Sequence, residues 1–471
     1  MNSTDLAFIP ALEQAQLIRT RQISPLELVE LYLGRIEQLN PSLGSFFHVA
    51  TETALADAQA KTEQLAQTQN LEELPPFFGV PTAIKDLNAV AGMPLTYGNP
   101  ALQGNIANYD EGIVTKMKLA GFTILGKTAT SEFGSLPYTE PMGFPPARNP
   151  WNLAHTPGGS SGGAAAAVAA GLCPIAQGSD GGGSVRGPAF CCGLVGVKPS
   201  RGRVSYAPLG DHQSGIATNG VLARTVADAS ALLDVMAGYI TGDPYWLPNP
   251  SVSFLEASRQ TPRQLKIAFS TSIPPIGEAA EVCQQAVQET AQIFASMGHL
   301  LEEGCPDFTE LIPPFVKIWQ AGVASTGLPP EALSPINRWI ASQAVTAGEY
   351  LQAVHKMQLV SRQIVAFFDN FDVLLLPTYM DTAITVGEWA SLEPEETLQK
   401  IINWIAPCPG FNASGLPSIA VPAGFAANGL PVGVQLVGKP ASEAILLSLA
   451  AQLEQAKPWV SFRSQGISSN K

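Results

Sequence analysis

The sequence predicts one large α/β domain built on a mixed central β-sheet with helices on both faces. Three observations carry that expectation. Segments with helical spacing of apolar residues alternate with short, nearly continuous apolar runs, the pattern of a helix-covered sheet. Across 471 residues no internal repeat and no low-complexity linker breaks the alternation, so nothing divides the chain. Apolar residues make up 46% and charged residues 14%, well below the roughly 25% charged share of an average soluble protein, which implies an extensive interior.

Residues 10–38 read as two helical segments, with Ser24 and Pro25 as N-cap and first helical residue ahead of LELVELYLGRIEQL. Ala50 to Leu71, rich in Ala, Gln and Glu, reads as another helix, which makes 1–75 a leading helical segment. PPFFGVPTAIKDL then switches to an apolar run ending in Lys85-Asp86, so the lysine closes a buried strand. VTKMKLAGFTILGKTATSEF repeats that logic, a helix followed by the strand FTILG. Between Gly158 and Pro199 glycine and small residues dominate, and VLARTVADASALLDVMAG reads as an amphipathic helix ended by Gly238, closing a catalytic core over 76–239. The segment 240–410 starts with a Pro-rich loop and the strand QLKIAFS, and is expected to be a mainly helical, substrate-covering region. DVLLLPT, PSIAVPAGF and PVGVQLVGK read as late buried strands, and 411–471 returns to the core with a C-terminal helix.

Charge and hydropathy exclude several function classes. A net charge of -13 with 26 basic residues leaves no positive field to neutralise a phosphate backbone, so direct nucleic-acid binding is not expected. The first residues, MNSTDLAFIPALEQAQLIRTRQ, lack the basic start, apolar stretch and small-residue cleavage site of an export signal. The most apolar run, Ala164 to Ala176, is broken by Gly171 and Pro174 and falls short of the roughly 20 residues a membrane span needs. A cytoplasmic protein without membrane contact is the expectation. The six cysteines form no C-x-x-C pair and should stay reduced, with Cys191 and Cys192 as small buried hydrophobes.

The chemistry concentrates in two glycine-serine segments and one lysine. A serine hydroxyl is a weak nucleophile at neutral pH, so it needs a neighbouring base and donors for the oxyanion that its attack creates. Gly181-Gly182-Gly183-Ser184 can supply both, because consecutive glycines let successive N–H groups converge on one point. Gly158-Gly159-Ser160-Ser161-Gly162-Gly163 runs straight into an Ala-rich helix, placing Ser160 near a helix start that favours negative charge. Either segment alone reads as an ordinary turn or cap; the two together, joined by one helix and one strand, point to a site. Lys85 becomes a base if it is buried, since desolvation disfavours the ammonium form, whereas pairing with Asp86 would make it structural. These residues alone leave open which serine attacks.

The combination resembles the amidase signature family. The long stretch GGSSGGAAAAVAAGLCPIAQGSDGGGSVRGPAFCCGLVGVKPSRGRVS matches its glycine/serine-rich signature, and GVPTAIKDL, GKTATSEFG, RNPWN, GVLARTVADASALLD, GLPSIAVPAGF and GLPVGVQLVGK extend the likeness over nearly the whole chain. The resemblance implies that Ser184 is the nucleophile, Ser160 a bridging serine held by a cis peptide, and Lys85 the base. It places the oxyanion donors on the backbone amides of Gly181, Gly182, Gly183 and Ser184, although Gly181 stands where many members carry Thr or Ile. Asp180 and Arg186 are expected to hold the loop, and Ser161 to hydrogen-bond beside Ser184. The implied reaction is hydrolysis of a small linear carboxylic amide to an acid and ammonia or an amine, with no metal or organic cofactor and with a homodimer compatible. The segments around 206–212 and 312–339, together with His212, Trp404 and Phe411, are expected to shape the acyl pocket.

Three rival readings fit parts of the same sequence. Gly121 to Thr128 fits the phosphate-loop pattern G-x-x-x-x-G-K-[ST], but its middle positions FTIL are themselves the strand, so no loop remains to cradle a phosphate. GGSSGG also fits the G-x-S-x-G nucleophile elbow of a Ser-His-Asp esterase, which would need one of His212, His299 or His355. The glutaminase subunit of a tRNA-dependent amidotransferase belongs to the same family and should carry an acid for glutamine's α-amino group. No acidic residue lies between Glu396 and Glu443, which favours a stand-alone amidase with an apolar acyl pocket.

Overall fold

The computed structural model describes residues 3–211 and 213–459. In chain order the strands are β1 (Phe46–Val49), β2 (Pro81–Lys85), β3 (Thr123–Thr128), β4 (Ile175–Asp180), β5 (Val195–Lys198), β6 (Thr218–Ala223), β7 (Lys266–Phe269), β8 (Ser272–Ile273), β9 (Gly277–Glu278), β10 (Leu300–Glu303), β11 (Val373–Pro377), β12 (Ser418–Phe425) and β13 (Pro431–Gly438). Eleven of them form one sheet in the order β1-β3-β2-β4-β6-β5-β12-β13-β11-β7-β10, while β8 and β9 pair separately. The sheet is mixed: β3, β2 and β4 are parallel, β4 to β11 run antiparallel in succession, and β11, β7 and β10 are parallel again. Every residue of β2, β3, β5, β6, β11 and β13 is buried. Successive side chains point to opposite faces, so a strand buried at every position is covered on both sides.

Local sequence explains the leading helices. Ser24 caps Pro25–Leu43 in a reciprocal box with Glu27, each satisfying the other's backbone N–H at the helix start. The helix Gly162–Ala169 is buried throughout and packs against β2, β4, β6 and the short helix Arg186–Cys192. Its small residues are required by proximity, since a side chain at Gly163 would run into the backbone of Ala129 and Ser45. All six cysteines are free thiols. No helix among the described residues is long and apolar enough to cross a membrane.

Three expectations need correction. The stretch read as one helix from Val221 begins as strand: VLA is the end of β6, and the helix starts at Val226 with the Thr225 side chain accepting from Asp228 N–H. Periodicity could not separate the two because the strand is buried on both faces and shows no alternation. Inside the leading helical segment, FFHV forms the edge strand β1, held antiparallel to β3. The segment 240–410 is not mainly helical cover, since it supplies β7, β10 and β11 to the main sheet.

Candidate active site

Lys85 ends β2 and is fully buried. Its backbone N–H donates to Gln177 Oε1 at 3.0 Å, fixing the strand end to β4. The side-chain Nζ lies 2.7 Å from Ser160 Oγ, 3.1 Å from Ser179 Oγ and 3.3 Å from the Ser179 carbonyl. Asp86 is not its partner, because Lys127 takes that carboxylate at 2.8 Å. Burial pushes the Lys85 pKa down to about 7, against a smaller upward pull from the Asp180 charge. A neutral amine donates two hydrogens and keeps one lone pair. It can therefore donate to Ser179 and accept the hydroxyl hydrogen of Ser160.

Ser160 follows a cis peptide bond from Gly159 and is 1% exposed. A Cβ on Gly159 would come within 2.5 Å of Tyr138 N and 2.7 Å of the Pro137 carbonyl carbon, so only glycine fits there. Thr139 braces the turn, its hydroxyl donating to the Gly158 carbonyl at 2.9 Å and accepting from Gly162 N–H at 3.2 Å. Next in the chain, Ser161 donates its N–H to the Ser184 carbonyl at 3.2 Å and its hydroxyl to the Ser179 carbonyl at 3.1 Å. Through its N–H, Ser161 is tied to the backbone of Ser184.

The loop 181–184 is shaped from beneath by Asp180. This fully buried carboxylate accepts from the N–H groups of Gly183 at 2.8 Å and Val185 at 3.0 Å, from Arg186 Nε and Nη2 at 3.0 and 2.9 Å, and from Asn412 Nδ2 at 2.9 Å. Burial alone would raise its pKa, but the Arg186 guanidinium and these donors hold it well below the usual carboxylate range. Arg186 uses all five of its N–H donors, the others reaching the Cys408 carbonyl, Gln435 Oε1 and Asn412 Oδ1. One expected oxyanion donor is therefore already committed: Gly183, at φ +121°, turns its N–H to Asp180. Among the described residues no hydrogen bond uses the N–H of Gly181, Gly182 or Ser184, or the Ser184 hydroxyl. No hydrogen bond joins Ser160 Oγ to Ser184 Oγ, so the Lys85–Ser160 link is in place and the next one is not.

Two cavities meet at this loop. A polar cleft of about 310 Å³ is lined by Asn88, Ser160, Ser179 and Gly181, among others. An apolar chamber of about 100 Å³ has Gly182 in its wall, with Phe308, Phe315, Ile401 and Ile405. Trp319 borders both. Of the expected pocket residues, Trp404 and Phe411 line neither. Trp404 packs against Tyr379 and Trp389 with its Nε1 donating to the Asp381 carbonyl, and Phe411 is buried edge-on against Phe308. Their helices turn other residues inward, Ile401, Ile405 and Gly410. His212 lies outside the described residues.

Sequence reasoning missed Ser179 and Asn412, and it reached Phe315 and Trp319 only as members of the segment 312–339, without naming either. For Ser179 a signal existed: with Gln177 it occupies alternate positions of β4, one face of a strand. Asn412 had none, lying 232 residues from the carboxylate it meets. The rival readings find no partners. His299 accepts from Leu265 N–H and faces Gln452, His355 is exposed, and no described histidine bonds to a site serine. The phosphate-loop pattern is strand β3.

A buried lysine bound to a serine, next to a glycine loop with uncommitted N–H groups, is equipped for acyl transfer. The Amidase family model matches residues 27–447. A Synechocystis sp. protein provisionally named an amidase is 58% identical over 452 residues, covering 96% of this chain and 89% of its own. The solved structure of a 6-aminohexanoate cyclic dimer hydrolase superposes with a TM-score of 0.92 at 32% identity, covering 98% of this chain and 99% of the other. A bacterial aryl acylamidase of the amidase signature family gives 0.86 at 28%, covering 96% and 97%. The chain belongs to the Amidase family. It is an enzyme that hydrolyses amides.

Proposed function

We propose that the chain hydrolyses a linear carboxylic amide through an acyl-enzyme on Ser184, with Ser160 and Lys85 as proton relay. The observation that carries this reading is the 2.7 Å contact between Ser160 Oγ and a buried Lys85 whose pKa is pushed down to about 7. Neutral Lys85 takes the Ser160 hydroxyl proton, Ser160 takes that of Ser184, and Ser184 Oγ bonds to the amide carbon. The carbonyl electron pair moves onto oxygen, where the N–H groups of Gly181, Gly182 and Ser184 are the donors available to it. The C–N bond then breaks, and the nitrogen leaves with the proton returned from Lys85 through Ser160. Water repeats the path against the ester, releasing the acid and restoring all three residues.

Asp180 and Arg186 act as positioning residues by fixing Gly183 and Val185, and Ser161 by holding the Ser184 carbonyl. The helices over 312–413 cover the substrate. The apolar chamber, with no carboxylate in its lining among the described residues, favours a stand-alone enzyme over a glutaminase subunit; the one described carboxylate lining either cavity, Asp211, is in the cleft.

The test is a panel of aliphatic and aromatic amides with wild type and Ser184→Ala, together with a serine-directed phosphonate probe and peptide mass mapping. Loss of hydrolysis in Ser184→Ala and an adduct on the Ser184 peptide are expected. An active Ser184→Ala variant, or glutaminase activity arising only with a second subunit, overturns the reading.

A further inference from the structure

The helix Ile312–Ala324 lays two aromatic rings on the loop that carries Ser184. Phe315 and Trp319, one helical turn apart on the same face, are stacked at 5.9 Å and 14°. Trp319 sits over Gly181, where an added Cβ would lie 3.3 Å from its ring, and Phe315 sits over Gly182 at 3.8 Å. Trp319 is pinned by its Nε1, which donates to the Ser135 carbonyl at 3.1 Å. A side chain at Gly181 would make a tight contact that the indole could keep only by shifting a few tenths of an ångström. Gly181 lines the polar cleft and Gly182 the apolar chamber, and Trp319 borders both.

The two halves of an amide have unequal needs. Its nitrogen must receive a proton to leave, and water must later reach the ester; its acyl chain needs neither. Ser160, the residue that delivers the proton, lines the cleft and not the chamber. The nitrogen side therefore belongs in the cleft, and the acyl side is left to the chamber beside Gly182. Chamber volume sets the size, because about 100 Å³ is below the roughly 150 Å³ cavity that admits benzene.

We infer that the substrate is an amide of a short unbranched aliphatic acid, its acyl chain lodged in the apolar chamber and its nitrogen in the cleft, with Trp319 on Gly181 as the partition that sets this orientation. This rests on the Ser184 acyl-enzyme reading.

The test compares two homologous series at matched alkyl length: unbranched primary amides from acetamide to octanamide, and N-alkylacetamides, with benzamide added. With wild type, kcat/KM is expected to rise about fourfold per methylene from acetamide to pentanamide, the transfer gain of a buried CH2, and then fall, while the N-alkyl series stays flat. Ile402→Trp and Val316→Trp, which fill the chamber from its wall, should abolish that rise. Trp319→Ala should raise benzamide relative to butanamide. A rise in the N-alkyl series, or a penalty from Ile402→Trp on that series alone, reverses the orientation and overturns the inference. Acetamide hydrolysis that depends on Ser184 without any chain-length gradient also overturns it, while leaving the acyl-enzyme reading intact. No hydrolysis of any amide overturns both.

Discussion

Lys85 Nζ and Ser160 Oγ are 2.7 Å apart, and every hydrogen bond of that buried amine is to a serine. No carboxylate pairs with it directly. Asp86, its neighbour in the chain, is held by Lys127, and Asp180 acts only through space. Without a carboxylate partner, desolvation controls the lysine and favours its neutral form.

That gives a pH dependence with a definite sign. The neutral amine is the working base, and its fraction grows as pH rises through about 7. The kcat/KM profile is expected to climb about tenfold per pH unit in the acid limb and level off above pH ~8. Stability moves the same way between about 7 and the ordinary 10.5, because over that window the unfolded lysine keeps a proton that folded Lys85 has released. A rate profile without an acid limb from pH 5 to 9 would count against Lys85 as the base.

The two serines should separate kinetically. Ser184→Ala removes the bond-forming oxygen and is expected to cost about 10⁶-fold in kcat, on the scale of other serine nucleophiles. Ser160→Ala removes a proton step and should cost about 10²–10⁴-fold, with slow labelling of Ser184 by the phosphonate probe retained. Equal labelling of Ser160 in wild type would contradict the assignment.

Asp180→Ala strips the partner from a fully buried Arg186 and frees the Gly183 and Val185 N–H groups. Breaking such a pair costs about 3–5 kcal/mol. Denaturant unfolding should show that loss, with kcat reduced in whatever fraction remains folded. A change below about 1 kcal/mol would show that the pair does not hold the loop.

Gly159→Ala puts a Cβ 2.5 Å from Tyr138 N and 2.8 Å from the Leu136 carbonyl oxygen. Neither is a flexible side chain, so the turn itself must move and Ser160 with it. A misplacement near 1 Å costs about 10²-fold, which is the expected fall in kcat, read against a far-UV spectrum that stays native. Retained activity would mean that the turn tolerates a side chain.

The fold was legible wherever periodicity or capping chemistry was local. Ser24 and Glu27 announced the helix Pro25–Leu43, and the apolar runs at 373–377 and 431–438 became strands as read. The boundary at Ala223 was not legible, because a strand buried on both faces and the start of a buried helix present the same apolar letters. In the site, residue chemistry singled out Lys85, Ser160 and the 181–184 loop as candidates, and the family resemblance proposed an order for them. Trp404 and Phe411 were expected in the pocket as aromatic residues of a stretch without acids, yet both are packed into the core while Ile401 and Ile405 line the chamber.

Sequence by itself determined the α/β class, the family, and the presence of a lysine at the end of a buried strand beside two glycine-serine segments. These are properties of neighbouring residues, fixed by spacing and backbone freedom. Only the tertiary structure decided that Lys85 meets Ser160 rather than Asp86, that Gly183 spends its N–H on Asp180, and that Trp319 lies on Gly181. Each of those pairs a group from one part of the chain with the one donor, acceptor or open surface that packing leaves available.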